Sequence, residues 1–238
     1  MNAPLMSGGT IIIIPKFSPA EIFRAVKEYE ATIFAGVPTM YNFLLQHGGD
    51  AGDFTSIRLC ISGGASMPVS LLENFEKKFN VQISEGYGLS ETSPVATANP
   101  PLSTEFTGTI GIPLPLTEVA ILDDDGNEVP LGEQGEISIR GPQVMKGYWN
   151  RADETEKVMT KDGFFRTGDI GVMSPEGFIK IVDRKKDMIL VSGFNVYPSE
   201  IEEVIATHPK VLEVAAIGVT DEKSGEVPKL FVVKKDPS

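Results

Sequence analysis

The strongest constraint on folding is a repeated alternation between short apolar runs and helix-start signals across residues 10–85. Ile11 to Ile14 is a continuous apolar run, as expected of a parallel strand buried on both faces. Ser18-Pro19-Ala20-Glu21 then reads as a helix start, with Ser18 as cap, Pro19 at the first helical position and Glu21 at the capping-box position. Ile22, Phe23 and Val26 fall on one face of that helix. Ala31 to Ala35 reads as a strand, Thr39 to Gln46 as a helix, and Ile57 to Ile61 as a third strand. Pro68 opens a helix with Leu72, Phe75 and Phe79 on one face, and Val81 to Ser84 is a fourth strand. This βαβαβαβ order predicts a layered α/β subdomain with a mainly parallel sheet.

The period changes after about residue 105. Val119 to Leu122 runs into the turn signal Asp123-Asp124-Asp125-Gly126-Asn127, and Glu136 to Arg140 alternates at strand period. Gly171 to Met173 and Phe178 to Val182 flank Ser174-Pro175-Glu176-Gly177, a second turn. A small antiparallel, barrel-like β subdomain is expected here. The charged segment Asp183-Arg184-Lys185-Lys186-Asp187 follows, then a helix from Pro198 to about Ala206 and a strand from Val211 to Val219. The expected division is an α/β part over 1–105, antiparallel β over 106–182, a hinge at 183–187 and an α+β lid segment, cut short, over 188–238.

The formal charge is −12. Phosphate backbones need a basic footprint, so nucleic acid is excluded as a partner, and anionic lipid is disfavoured for the same reason. Any anionic ligand must be held by local donors against the global field. The single cysteine, Cys60, cannot form an intrachain disulfide and reads as a packed core residue in a protein of the reducing cytoplasm. The longest apolar run near the start falls far short of the ~20 residues of a membrane span. His47 and His208 lack neighbours at zinc-ligand spacing.

Four segments could carry chemistry, and each has a plain structural reading. Ser62-Gly63-Gly64-Ala65 follows a strand, where α/β folds place ligand loops, but a tight strand–helix turn explains it as well. Glu85-Gly86-Tyr87-Gly88-Leu89-Ser90-Glu91-Thr92 follows the fourth strand and reads by composition as a capping turn. Phe164-Phe165-Arg166-Thr167-Gly168-Asp169 ends in a carboxylate after a glycine turn. Asp183 to Asp187 reads as a solvated linker, followed by Val191-Ser192-Gly193-Phe194-Asn195-Val196-Tyr197-Pro198.

In this order the segments resemble the adenylate-forming (AMP-binding) enzymes, most closely the bacterial long-chain fatty-acid–CoA ligases. The resemblance implies activation of a carboxylate with ATP and transfer of the acyl group to the thiol of CoA. It implies that Gly63, Gly64 and Ala65 border adenine and that Tyr87, within Glu85 to Gly88, offers it an aromatic face. It gives Ser90 a phosphate oxygen and Glu91 a Mg²⁺ ion, for which a hard carboxylate is suited. Asp169 would accept the ribose hydroxyls, with Arg184 beside the same ribose. Lys186 would be the pivot of a lid rotation, Ser192-Gly193-Phe194 would line the pantetheine tunnel, and Val37-Pro38-Thr39, after Gly36, would border the acyl pocket. Ser90 stands where the family often has threonine, which keeps the hydroxyl.

The family's phosphate loop ending in Lys-Gly and its late catalytic lysine have no match in these residues; Gly8-Gly9-Thr10, Lys229, Lys234 and Lys235 lie in other contexts. Two lost charge contacts at a phosphoryl-type transition state would cost several orders of magnitude in rate, so the chain alone is expected to turn over poorly. A nucleotide-binding module without chemistry is the alternative from another class. An aryl–CoA ligase or a carrier-protein-loading adenylation domain are alternatives within the enzyme class.

Overall fold

A computed structural model describes residues 2–101, 108–221 and 223–235. The boundary expected at 105/106 lies outside the described residues. The chain divides into two compact units. The first comprises Met1–Gly88 and Thr97–Gly111, the second Leu89–Ala96 and Ile112–Ser238.

In the first unit, a short helix α1 (Asn2–Met6) precedes α2 (Pro19–Tyr29), β1 (Ile33–Gly36), α3 (Pro38–His47), β2 (Leu59–Ser62), α4 (Val69–Phe79) and β3 (Ile83–Gly88). Strands β1, β2 and β3 pair in parallel, in that order. Tyr41, Phe54, Phe75 and Phe79 are fully buried beside Leu44 and Cys60. Their rings meet largely edge-on or tilted; Tyr41 and Phe75 lie 5.0 Å apart, and Phe75 and Phe79 4.6 Å apart. The Tyr41 hydroxyl donates to the Ile61 carbonyl at 2.8 Å, which ties α3 to β2. Burial pushes the Cys60 thiol up to about 12, so it is a packed core residue, as its apolar sequence context suggested.

Two local expectations fail. Ile11 to Ile14 forms no strand, and Ile13 is 73% exposed. A strand requires a hydrogen-bonded neighbour, and apolar composition does not supply one; Ile14 instead packs its side chain on the core. Ser18 takes the cap position of α2 with extended backbone, but its side chain makes no cap hydrogen bond. Glu21 is drawn to Arg24 at 2.9 Å rather than back to the cap.

In the second unit, β6 (Glu118–Leu122), β7 (Gly135–Arg140), β8 (Phe165–Met173) and β9 (Ile179–Arg184) form an antiparallel sheet in sequential order; β4 (Val95–Ala98), part of which belongs to the first unit, and β5 (Ile112–Pro113) precede it. The sheet is open: among the described residues β6 and β9 are its two edges, so the barrel-like closure expected from the strand pattern does not occur. Four strands are too few to curl round and pair edge to edge, since closed barrels of this kind need a wider sheet. Helix α5 (Ala152–Val158) lies between β7 and β8 in sequence. A second sheet has the order β11 (Phe194–Val196), β10 (Ile189–Val191), β13 (Gly225–Lys234) and β12 (Val211–Asp221). Helix α6 (Pro198–Ala206) packs on β12, where Glu202 accepts the Ala216 N–H at 2.7 Å. No helix among the described residues is long and apolar enough to cross a membrane.

Candidate active site

Three of the sequence-marked segments meet at the carboxyl ends of the parallel strands in the first unit. Gly36, Ser62 and Glu85 are register partners across β1, β2 and β3. Just beyond them the Gly63 N–H donates to the Gly36 carbonyl at 3.3 Å. A Cβ on Gly63 would stand 3.1 Å from the Gly86 carbonyl oxygen, so a side chain there would crowd the strand beside it. Gly64 lies against Val37. Thus Val37-Pro38-Thr39, Gly63-Gly64-Ala65 and Glu85 to Gly88 share one sheet end, where open α/β sheets take ligands. Pro38 is buried as the first residue of α3, while Val37, Thr39, Gly64 and Ala65 are exposed and Tyr87 is half-buried. The Glu85 carboxyl is buried and accepts the Met67 N–H at 3.3 Å, which closes the 63–67 loop onto β3. Burial pushes this carboxyl up to about 7, opposed only in part by that hydrogen bond.

The second unit holds the rest. Ser90, Glu91 and Thr92 form a 3₁₀ turn. The buried Thr92 hydroxyl accepts the Leu89 N–H at 2.9 Å and so fixes the turn, leaving Ser90 exposed. Glu91 is held twice by a segment the sequence reading passed over: its carbonyl accepts the Met145 N–H at 2.7 Å, and its Oε1 accepts the Tyr148 hydroxyl at 2.8 Å.

Asp169 and Arg184 are direct register partners across β8 and β9, with Arg184 Nε 3.4 Å from Asp169 Oδ1. Asp169 does not follow a turn, as its glycine suggested, but lies inside β8. The pairing of β7 with β8 slips there: Ser138 faces Arg166 and Glu136 faces Ile170, so Thr167, Gly168 and Asp169 stand opposite Ile137 alone. Gly168, at φ +75°, makes this bulge possible, and bulges re-aim side chains. The bulge is pinned from below. Thr167 donates to the Ile137 carbonyl at 2.8 Å and accepts the Asp169 N–H at 3.1 Å, and the Gly168 N–H donates to Glu136 Oε1 at 3.0 Å. Buried Glu136 also accepts from Arg166 at 3.2 Å and Lys185 at 3.1 Å. Neither Glu136 nor Tyr148 carries a local sequence signal; both roles arise from pairing across strands or loops.

Lys186 is exposed in the turn at 185–187 that follows β9, while Lys185 is tied to Asp124 at 2.6 Å as well as to Glu136. These ties hold the Lys185 ammonium above its ordinary range. Ser192 and Gly193, both left-handed, form the two-residue tip of the β10–β11 hairpin, and Phe194 beside them is exposed. Among the described residues no three His, Cys, Asp or Glu side chains gather as a protein-built metal cage.

The profile of the AMP-binding enzyme family matches residues 1–149, and that of the AMP-binding enzyme C-terminal domain matches 200–238. The chain belongs to the AMP-binding enzyme family. A long-chain-fatty-acid–CoA ligase of Yersinia pestis is 51% identical over 235 residues, covering 97% of this chain and 41% of the relative. The chain therefore spans about two fifths of the curated relative it matches. Among solved structures, ATP-bound MatB from Rhodopseudomonas palustris superposes with a TM-score of 0.94 at 36% identity, over 100% of this chain and 47% of that one. The o-succinylbenzoate coenzyme A synthetase MenE from Bacillus subtilis, in complex with ATP and magnesium ion, gives 0.87 at 34% identity, over 98% of this chain and 48% of that one.

Proposed function

We propose that this chain carries nucleotide-binding and hinge parts of an ATP-dependent ligase that joins a long-chain fatty acid to CoA. The observation that carries the reading is the Asp169–Arg184 pair: a buried carboxylate lifted on a bulge, opposite a guanidinium whose side chain is 59% exposed. A vicinal diol needs an acceptor of fixed direction, and the bulge supplies one. In the reaction a fatty-acid carboxylate oxygen attacks the α-phosphorus of ATP and pyrophosphate leaves. The CoA thiol then attacks the acyl carbonyl and AMP leaves.

On this reading Gly63 to Ala65 and the Tyr87 face take the adenine, Asp169 and Arg184 the ribose, and Ser90 a phosphate oxygen. Val37-Pro38-Thr39 borders the acyl chain, Lys186 is the lid pivot, and Ser192-Gly193-Phe194 meets pantetheine. The domain division at 106, 183 and 188 follows the same reading. Magnesium fits as a nucleotide-borne ion. One carboxylate, Glu91, stands on an ordered turn and would supply a single protein ligand, as suits an ion that keeps waters and phosphate oxygens around it. When bound, the ion neutralises phosphate charge. A reducing compartment, the cytoplasm, suits the single buried thiol.

Isothermal titration with AMP tests the reading. The chain should bind AMP, and Asp169→Asn should weaken it at least tenfold, since a hydrogen bond to a charged group contributes about 1.5–3 kcal/mol. Equal affinity for AMP and 2′,3′-dideoxy-AMP would refute the ribose assignment.

A further inference from the structure

We propose that Tyr148 is a positioning residue that aims the Glu91 carboxylate at the divalent cation carried by the nucleotide; this rests on the ligase reading above. The two residues are 57 positions apart, yet the Tyr148 hydroxyl donates to Glu91 Oε1 at 2.8 Å. That bond occupies one carboxylate oxygen and restricts rotation of the group, so the range of directions open to Oε2 is narrowed before any ion arrives.

The tyrosine is itself braced at both ends of its backbone. Its N–H donates to Thr155 Oγ1 at 2.9 Å, and its carbonyl accepts the Arg151 N–H at 3.1 Å. Thr155 in turn donates to the Arg151 carbonyl at 2.9 Å, so the start of α5 forms a closed clasp around residue 148. Gly147 is required at its place: φ is +149°, and a Cβ would stand 2.8 Å from Thr155 Cγ2. The Met145 N–H to Glu91 carbonyl bond fixes the backbone of the same glutamate. A side chain held at backbone and carboxylate by one braced segment is preorganised, which is what precise ion placement demands.

The experiment is calorimetric titration of the chain with ATP in saturating Mg²⁺ and again in EDTA, alongside AMP, for wild type, Tyr148→Phe and Glu91→Gln. The readout is the ratio of the two ATP affinities, which no fold defect alone imitates while AMP binding is intact. Glu91→Gln sets the ratio without a carboxylate. Tyr148→Phe is expected to move the wild-type ratio toward that value by about three- to tenfold, the cost of leaving one side chain free to rotate, with AMP affinity unchanged within twofold. An unchanged or increased ratio in Tyr148→Phe, with Glu91→Gln reduced, overturns the positioning role and leaves the ligase reading standing. Loss of AMP binding in Tyr148→Phe makes the residue structural and overturns it too. A wild-type chain that binds no AMP brings down the site reading itself, and the inference with it.

Discussion

Glu136 tests most directly whether the proposed ribose site is held in place by its neighbours in the β sheet. In Glu136→Ala three partners lose their acceptor. The Gly168 N–H, 3.0 Å away inside the bulge, is left without its acceptor, at a cost of about 1–3 kcal/mol. The Arg166 guanidinium, with a side chain only 19% exposed, keeps the Asp123 carbonyl at 3.1 Å and loses only part of its compensation. Lys185 is 39% exposed and retains Asp124 at 2.6 Å, so its loss counts for little. Removing one member of a buried charge cluster costs about 3–5 kcal/mol, and these retained partners place the expected loss at about 3 kcal/mol. For a unit of this size that lowers the midpoint of thermal unfolding by about 9 °C. Glu136→Gln keeps an acceptor for Gly168 and should lose about half as much. Scanning calorimetry reads the midpoint, and amide exchange at Gly168 reads the bulge locally. A midpoint within about 2 °C of wild type, with Gly168 still protected, would refute the claim that Glu136 holds the bulge.

Three further outcomes follow from the same physics. Phe75→Ala removes a fully buried ring in contact with Tyr41, Phe54 and Phe79, and should cost the first unit about 3–5 kcal/mol in urea unfolding. Arg184→Ala should weaken AMP less than Asp169→Asn does, because the arginine is largely exposed; its contribution should shrink as salt rises from 0.05 to 0.5 M, about a threefold shortening of the screening length. For Glu85, the folded carboxyl titrates at about 7 and the ordinary value is 4.5, so between these values the native first unit keeps a proton that the unfolded chain has lost. Stability contributed by the neutral acid is complete below about 4.5 and falls as pH rises through about 7, by at most about 3 kcal/mol. Glu85→Gln should flatten that slope in pH-dependent denaturation of the chain, and an unchanged slope would sink the assignment.

The parts of this molecule that were legible in sequence are those whose cause is local. A 3.6-residue apolar period needs no tertiary partner to be seen, so Leu72, Phe75 and Phe79 were readable as one buried face of α4. Glycine-rich strand ends were legible for a similar reason, and the structure gathers Gly63, Gly64 and Gly86 at one sheet end. Ile11 to Ile14 shows the limit: its composition is that of a strand, but a strand is a relation between two segments, and β1 finds its neighbour in β2. Asp169 shows a subtler one. The motif located the carboxylate, while the slip that aims it depends on Glu136 and Ile137, some thirty residues earlier. On the proposed reading, the motif residues are those that meet the ligand and so carry recognisable chemistry. The residues that hold them, Glu136 under the bulge and Tyr148 on Glu91, are an ordinary strand glutamate and an ordinary loop tyrosine until the sheet brings them into contact. That division predicts where substitutions mislead. A change at Glu136 should look like a stability defect in a screen, yet act on nucleotide affinity through Asp169.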